Sequence, residues 1–134
     1  GAEDIARGIS AFGGAGRRFE KLGIHKGIMI ADDYAHHPTE IKATLTAAKN
    51  MGYNNVIAVF QPFTFSRTEL LKNEFIEALS IADKVILTPI MGSREVNAWG
   101  ISSEDIAKEL KNAVIVDGFE NIANNDFAVV DELP

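Results

Sequence analysis

The 134-residue sequence contains no cysteine, and several other marks of particular protein classes are missing as well. Without cysteine the chain can form neither a disulfide framework nor a thiolate metal site. No apolar run approaches the roughly 20 residues that a membrane-spanning helix needs. No block of Lys or Arg suits nucleic acid, and the net charge of −6 repels phosphate backbones and anionic lipids. We therefore expect a soluble, cytoplasmic protein that binds neither nucleic acid nor membrane.

The usual phosphate-binding loops are missing too. There is no GxxxxGK[ST] sequence and no Gly-Lys dipeptide, which excludes a Walker-type phosphate loop. The segment FGGAGRRFE (12–20) has three glycines but not the GxGxxG spacing, and it does not join a strand to a helix. Its Arg17 and Arg18 instead offer guanidinium groups that suit phosphate or carboxylate. Any ATP chemistry would need a phosphate loop from elsewhere.

The sequence does contain a regular alternation of two kinds of segment. A length of 134 residues with 46% hydrophobic content fits one domain, 1–134, with a real core. Short apolar segments rich in β-branched residues predict buried strands at 27–33, 55–61, 84–90, 113–118 and 127–131. Helical patterns cover about 2–12, 38–51 and 67–82, and a further helix begins at Ser102 or Ser103. The alternation predicts an α/β fold of three-layer, Rossmann-like type, with a mainly parallel sheet, right-handed crossovers and helices on both faces.

Start and stop signals refine two of these helices. Pro38 suits the first turn of the helix over 38–51, and Gly52 can close its end. Ser66 and Glu69 have capping-box spacing, which predicts the start of the helix over 67–82.

In a parallel sheet of this kind, ligands bind outside the carboxyl ends of the strands. Three junctions leave from those ends: 31–40, 61–68 and 88–100. The third is long for such a connection, which favours a functional loop. The aromatic residues in these junctions, Phe63, Phe65 and Trp99, are expected to pack in the core rather than stack on a ligand.

The first junction, ADDYAHHPTE, concentrates titratable side chains at a strand end that faces a helix N-terminus. Asp32, Asp33, His36 and His37 could together hold ribose hydroxyls, phosphate oxygens or a divalent metal. The structural alternatives are that His37 only caps the helix and Asp32 only ends the strand. A metal site is less favoured, because neighbouring aspartates on a strand point to opposite faces.

Arg67 stands out in the second junction. It lies in the predicted first turn of a helix, where the helix dipole disfavours a cation. This placement suggests that Arg67 binds an anionic partner.

Five motifs carry a family resemblance: FGGAGRRFE, DDYAHHPTEI, FQPFTFSRT, ADKVILTPI with the following SRE, and GISSEDIA. In order and spacing, over about residues 1–122, they resemble the C-terminal domain of the Mur ligases. The resemblance implies an ATP-dependent ligase of peptidoglycan precursor synthesis with three domains, of which this chain resembles only the third. Such a domain would be inactive alone. The members that it resembles most join L-alanine to UDP-N-acetylmuramate through an acyl phosphate.

The resemblance also implies contacts to ATP. Arg18 would contact the ribose or phosphates across the domain cleft, Asp33 would hold the ribose hydroxyls, and Tyr34 would lie against the adenine. ATP and Mg²⁺ would be held mainly by the central domain, so no metal ligand is expected in this chain.

For the reaction itself, the resemblance implies that His36 and His37 are the catalytic residues and face the phosphates and the incoming amino acid. Arg67, together with His37, would bind the amino acid. Closure of this domain over the others would exclude water that otherwise destroys the acyl phosphate.

The sequence departs from the family pattern in two places. The family usually has FQPHTYSR where this chain has Phe63 and Phe65, and after GFENIA the segment 123–134 lacks the usual glycine-rich stretch. Three alternatives stay open: a recycling ligase that attaches a whole peptide to UDP-muramate, a non-catalytic nucleotide- or amino-acid-binding module, and a metal-dependent hydrolase built on DDYAHH.

Overall fold

The computed structural model describes residues 19–25, 27–117 and 127–132. In these residues the strands are β1 (Glu20–His25), β2 (Ile28–Asp33), β3 (Asn55–Phe60), β4 (Lys84–Leu87), β5 (Ala113–Ile115) and β6 (Phe127–Glu132). The helices are α1 (Pro38–Lys49), α2 (Phe65–Leu70), α3 (Lys72–Leu79) and α4 (Ser103–Ala107). None of these helices is long and apolar enough to cross a membrane.

All six strands form one sheet in the order β1-β2-β6-β3-β4-β5. β3, β4 and β5 pair in parallel, and β2 runs in the same direction because β2 and β3 are both antiparallel to β6. The predicted α/β fold is confirmed, with four of the six described strands running in one direction, and so are the five predicted strands. Three of the five strand pairings are antiparallel, however, so the sheet is mixed. No sequence pattern indicated that β6 would insert antiparallel between β2 and β3.

The strand β1 was not predicted from the sequence. Its segment EKLGIH begins with two charged residues and contains a glycine, so its strand propensity is low. Pairing with β2 fixes it, through a tight hairpin in which His25 pairs with Ile28 and Gly27 has φ 81°. A glycine at the second position of a two-residue connection is a hairpin signal that could have revealed the strand.

Helix α1 confirms its predicted start. Pro38 occupies the first turn, and Ile41, Leu45 and Ala48 form the buried stripe. The helix ends two residues before the predicted limit of 51, and Gly52, with φ 86°, lets the chain reverse towards β3.

The single helix predicted over 67–82 is wrong in two respects. It is divided into α2 and α3 at Leu71, where φ is −108° and ψ is 16°. The predicted capping box of Ser66 and Glu69 is not formed, because α2 begins earlier and Thr64 is its N-cap. The Thr64 hydroxyl oxygen accepts a hydrogen bond from the Arg67 amide at 3.3 Å.

The described helices α1, α3 and α4 pack side by side on one face of the sheet. Their apolar stripes meet alternate residues of β2, β3 and β4, among them the fully buried Met29, Val56, Phe60 and Leu87. Phe60 contacts Phe75 of α3 with ring centroids 5.4 Å apart, and each such buried ring stabilises the fold by about 1.5–3 kcal/mol. The helix predicted over 2–12 lies outside the described residues, and helices on the second face of the sheet stay a prediction.

Candidate functional site

The carboxyl ends of the four co-directional strands lie level with one another. Asp33 at the end of β2 and Phe60 at the end of β3 both pair with Phe127 of β6. Phe60 also pairs with Leu87, which in turn pairs with Ile115. The junctions that follow β2, β3 and β4 therefore leave from the same edge of the sheet, as predicted. Only β6 separates the ends of β2 and β3, which places them about 10 Å apart.

Asp33, the predicted ribose ligand, is almost fully buried, with 1% exposure. One carboxylate oxygen accepts hydrogen bonds from the Phe19 amide at 3.0 Å and the Thr44 hydroxyl at 2.8 Å. The other accepts from the Ala35 amide at 2.7 Å. Asp33 thus ties the end of β2 to α1 and to the start of β1, and its role towards ribose stays a prediction.

Tyr34 and His36 contact each other in the first junction. The Tyr34 side chain is 57% exposed, and its ring meets that of His36 edge-on with centroids 6.0 Å apart. His36 Nδ1 lies 3.2 Å from the carbonyl oxygen of Tyr34. Because a carbonyl only accepts, this hydrogen bond requires the proton on Nδ1, which leaves Nε2 of the neutral ring as an acceptor.

His37 caps α1, as the structural alternative predicted. Its Nδ1 accepts a hydrogen bond from the Thr39 amide at 3.2 Å, and a Glu40 carboxylate oxygen accepts from the His37 amide at 3.2 Å. The bond to Thr39 requires Nδ1 without a proton, so Nε2 of the neutral ring carries the hydrogen. When both rings are neutral, the two adjacent histidines therefore present opposite hydrogen-bonding groups, an acceptor at His36 Nε2 and a donor at His37 Nε2. His36 Nδ1 also lies 3.7 Å from a Glu40 carboxylate oxygen.

Arg67 emerges from the first turn of α2 at the second junction. Its guanidinium carbon lies 6.0 Å from the centroid of the Phe63 ring, a cation–π contact. Arg67 is half-buried and forms no ion pair with any acidic residue in the part of the chain that the structure describes. A half-buried cation of this kind is suited to an anionic ligand such as a carboxylate.

The loop after β4 lies against this turn. The Thr64 amide donates to the Met91 carbonyl at 2.8 Å, and the Met91 amide donates to the Pro62 carbonyl at 2.9 Å. Glu95 accepts hydrogen bonds from the Ser66 amide at 2.9 Å and the Ser66 hydroxyl at 2.5 Å. These bonds, the hydroxyl first and the amide second, hold the pKa of Glu95 below its usual value. Glu95 was not identified from the sequence, where its only signal is its place in the SRE motif.

The aromatic residues of these loops only partly fit the core-packing prediction. Phe65 packs against Gly92 so closely that a Cβ on this glycine would lie 2.4 Å from the ring. Phe63 and Trp99, however, are 37% and 50% exposed, so for these two the prediction is wrong. Both lie on the connections that follow β3 and β4 and not within these strands.

A metal site built from the first junction is not formed. The Asp33 carboxylate faces inward, and Asp32 and Asp33 differ in burial as alternating strand residues do. Within residues 19–25, 27–117 and 127–132 there is no group of three His, Cys, Asp or Glu that could hold a metal ion. Arg17 and Arg18, the other predicted anion-binding residues, lie outside the described residues.

Comparison with known proteins identifies the family. The family model described as "Mur ligase, glutamate ligase domain" matches residues 17–132. The chain belongs to this Mur ligase family. The match includes the divergent segment after residue 122 and ends at the last residue of β6.

Curated relatives of this Mur ligase domain are also similar in sequence. The UDP-N-acetylmuramate–L-alanine ligase of Lachnospira eligens is 51% identical over 90% of this chain and 27% of the relative. The ligase of the same name from Caldicellulosiruptor bescii is 50% identical over 89% of this chain and 27% of the relative. The ligase of the same name from Clostridium perfringens is 43% identical over 82% of this chain and 24% of the relative. The chain thus spans about a quarter of the length of the curated relatives that it matches.

Proposed function

We propose that this chain is the C-terminal, amino-acid- and ATP-facing domain of an ATP-dependent ligase that joins L-alanine to UDP-N-acetylmuramate in peptidoglycan precursor synthesis. The observation that carries this proposal is the 51% identity over 90% of the chain to a ligase of that name. The level strand ends, with Tyr34, His36, His37 and Arg67 on their junctions, support it independently. The ATP-dependent reaction would take place in the cytoplasm.

The proposed reaction has two steps. The muramoyl carboxylate first takes the terminal phosphoryl group of ATP, which gives an acyl phosphate and ADP. The amine of L-alanine then attacks the acyl carbon, an amide bond forms, the bond to phosphate breaks, and the amine loses a proton. Mg²⁺ would neutralise phosphate charge in the first step. The described residues contain no group of three ligand-type side chains for a metal, so we assign ATP phosphates and Mg²⁺ mainly to the other domains of such a ligase.

The residues of this chain would bind and orient the amino acid. Arg67 would bind the carboxylate of the amino acid in a bidentate, charge-assisted contact. His36 Nε2, an acceptor, would take a hydrogen bond from the attacking amine, while His37 Nε2, a donor, would face phosphate oxygens. Such positioning converts a bimolecular attack into an effectively unimolecular one.

ATP contacts form the remaining part of the proposal. The exposed ring of Tyr34 would lie against the adenine, and Asp33 and Arg18 would face the ribose side. Because Asp33 is buried, it would reach the ribose only after a local rearrangement of the first junction. Otherwise it would act on ATP binding indirectly, by holding the neighbouring residues in place.

A hybrid ligase tests the proposal. In it, this chain replaces the matching C-terminal quarter of the Lachnospira eligens relative, and phosphate release is measured with ATP, UDP-N-acetylmuramate and L-alanine. We expect activity that requires all three. Arg67→Ala should raise the KM for L-alanine about 10–100-fold, since hydrogen bonds to charged groups contribute about 1.5–3 kcal/mol. Lys84→Ala, which removes an exposed cation at the opposite end of β4, is the matched control and should change nothing.

Three results would contradict the proposal. A folded hybrid that ligates neither L-alanine nor any other amino acid removes its main support. Activity with a tripeptide but not with L-alanine favours the recycling ligase. L-alanine binding by the 134-residue protein alone, measured by calorimetry and lost in Arg67→Ala, favours an independent binding module.

A further inference from the structure

The loop over 88–100 fixes the turn that carries Arg67, and we propose that Glu95 of this loop is a positioning residue for Arg67. Its carboxylate holds the first turn of α2. It thereby directs the guanidinium of Arg67 towards the edge of the sheet from which the junctions after β2, β3 and β4 leave. What Arg67 binds rests on the proposed function. The claim that Glu95 fixes the turn does not depend on the proposed function.

Backbone strain at Thr64 shows that the turn is held from outside. Thr64 has φ 65° and ψ 146°, a conformation that β-branched residues rarely adopt. Strain of this kind persists only where the surroundings enforce it, and it is concentrated at functional sites. The enforcing bonds are present on both sides: the Thr64 amide donates to Met91 of the loop at 2.8 Å, and the Thr68 hydroxyl donates to the Thr64 carbonyl at 2.7 Å.

Glu95 supplies an acidic group to the first turn of α2, which has none of its own. Helices favour acidic residues in the first turn, where they complement the helix dipole and the free amides. The first turn of α2 has no acidic residue, and Arg67 is the third of the six residues of this helix. The Glu95 carboxylate reaches this turn from another segment and accepts both hydrogen bonds of Ser66, the neighbour of Arg67. It therefore supplies an acidic group to the first turn and anchors the backbone beside Arg67.

These contacts predict an effect on one substrate only. If Glu95 acts through Arg67, its loss should weaken binding of the amino acid and leave the KM for ATP unchanged. A carboxylate that served stability alone would lower the maximal rate through the fraction of folded enzyme and leave both KM values unchanged.

Hydrogen exchange of the 134-residue protein tests the fixing directly. In Glu95→Ala, we expect the Thr64 and Met91 amides to exchange about ten-fold faster, because both lose protection if the loop detaches from the turn. Ser66→Ala, which keeps the Ser66 amide but removes its hydroxyl, should give a smaller acceleration. Glu74→Ala removes an exposed glutamate of α3 and is the matched control. Unchanged exchange at Thr64 and Met91 in Glu95→Ala would overturn the proposal.

Kinetics in the hybrid ligase test the link to Arg67. Glu95→Ala should raise the KM for L-alanine about ten-fold, with the KM for ATP within two-fold of the parent, and Glu95→Gln should recover part of the loss because its amide oxygen still accepts from the Ser66 amide. In an Arg67→Ala background, Glu95→Ala should add less than about two-fold, since residues that act as a unit are not additive. The link would be overturned if Glu95→Ala raised the KM for L-alanine about ten-fold in the Arg67→Ala background as well. An equal rise in the KM for L-alanine and the KM for ATP would also overturn it.

The two proposals fail in different ways. An inactive parent hybrid contradicts the proposed function, and hydrogen exchange then decides whether Glu95 fixes the turn. An active hybrid in which Glu95→Ala has no effect contradicts only the positioning role.

Discussion

The hydroxyl of Thr44 on α1 donates to the carboxylate of Asp33 at the end of β2 over 2.8 Å, and both side chains are buried. The same carboxylate accepts from the amides of Phe19 and Ala35. A buried carboxylate with three donors connects strand, helix and junction at the point where Tyr34 and the histidines begin.

Removing one of these donors should destabilise the fold. Thr44→Val keeps the shape of the side chain but leaves the carboxylate one hydrogen bond short, which should cost about 1–2 kcal/mol of unfolding free energy. Denaturant unfolding measures this loss. Thr46→Val, at an exposed position of the same helix, is the control and should be neutral; equal stability of the two variants would contradict the role of this contact.

His37 combines a cap with a predicted catalytic role, and two substitutions separate them. His37→Ala should lose about 1 kcal/mol of stability, whereas His37→Asn should lose little because asparagine is a good N-cap. If His37 also faces phosphate in the hybrid ligase, both variants should lose activity to a similar extent. An asparagine variant that is both stable and fully active would show that His37 only caps the helix.

Phe63 provides the surface on which Arg67 lies, at 6.0 Å from the ring centroid. Phe63→Leu keeps an apolar side chain but removes the ring, so the KM for L-alanine in the hybrid ligase should rise about 2–5-fold, as expected for a partly exposed cation–π contact. Phe63→Tyr keeps the ring and should match the parent. A rise of the same size in both variants would indicate that the ring does not act through Arg67.

Asp83 makes stability dependent on pH. Desolvation opposes ionisation here, but the Val56 amide and then Lys49 hold the pKa of Asp83 below its usual value of 3.8. The unfolded chain therefore binds this proton more readily, so the contribution is complete above the unfolded pKa and is lost as pH falls through the lower folded value.

Urea unfolding between pH 3 and pH 7 measures this dependence. The midpoint should fall at the acidic end in the parent and fall less steeply in Asp83→Asn. Identical pH profiles would show that other carboxylates account for the acid sensitivity.

The predictable parts of the fold are those set by local pattern. The strands over 28–33, 55–60 and 84–87 and the helix that begins at Pro38 follow from apolar runs, a proline and a cap. The start of α2 was misjudged because Thr64 takes a conformation that depends on hydrogen bonds to Met91 of the neighbouring loop and to Thr68. The burial of Asp33 and the contact between Glu95 and Ser66 depend on residues that are distant in sequence. A local sequence pattern does not predict such contacts.

The place of β6 has a consequence for how the domain reaches its native state. β2 and β3 do not pair with each other, because each pairs with β6. Ile28 and Asn55, for example, both pair with Glu132, so neither native pair can form before β6 is in place. During synthesis on the ribosome, the first hairpin and the three-stranded parallel unit would emerge as separate pieces with unpaired edges, and such long-range pairing folds slowly. Until β6 is in place, the facing edges of β2 and β3 stay unpaired, and unpaired edges of this kind are sites where another chain can pair.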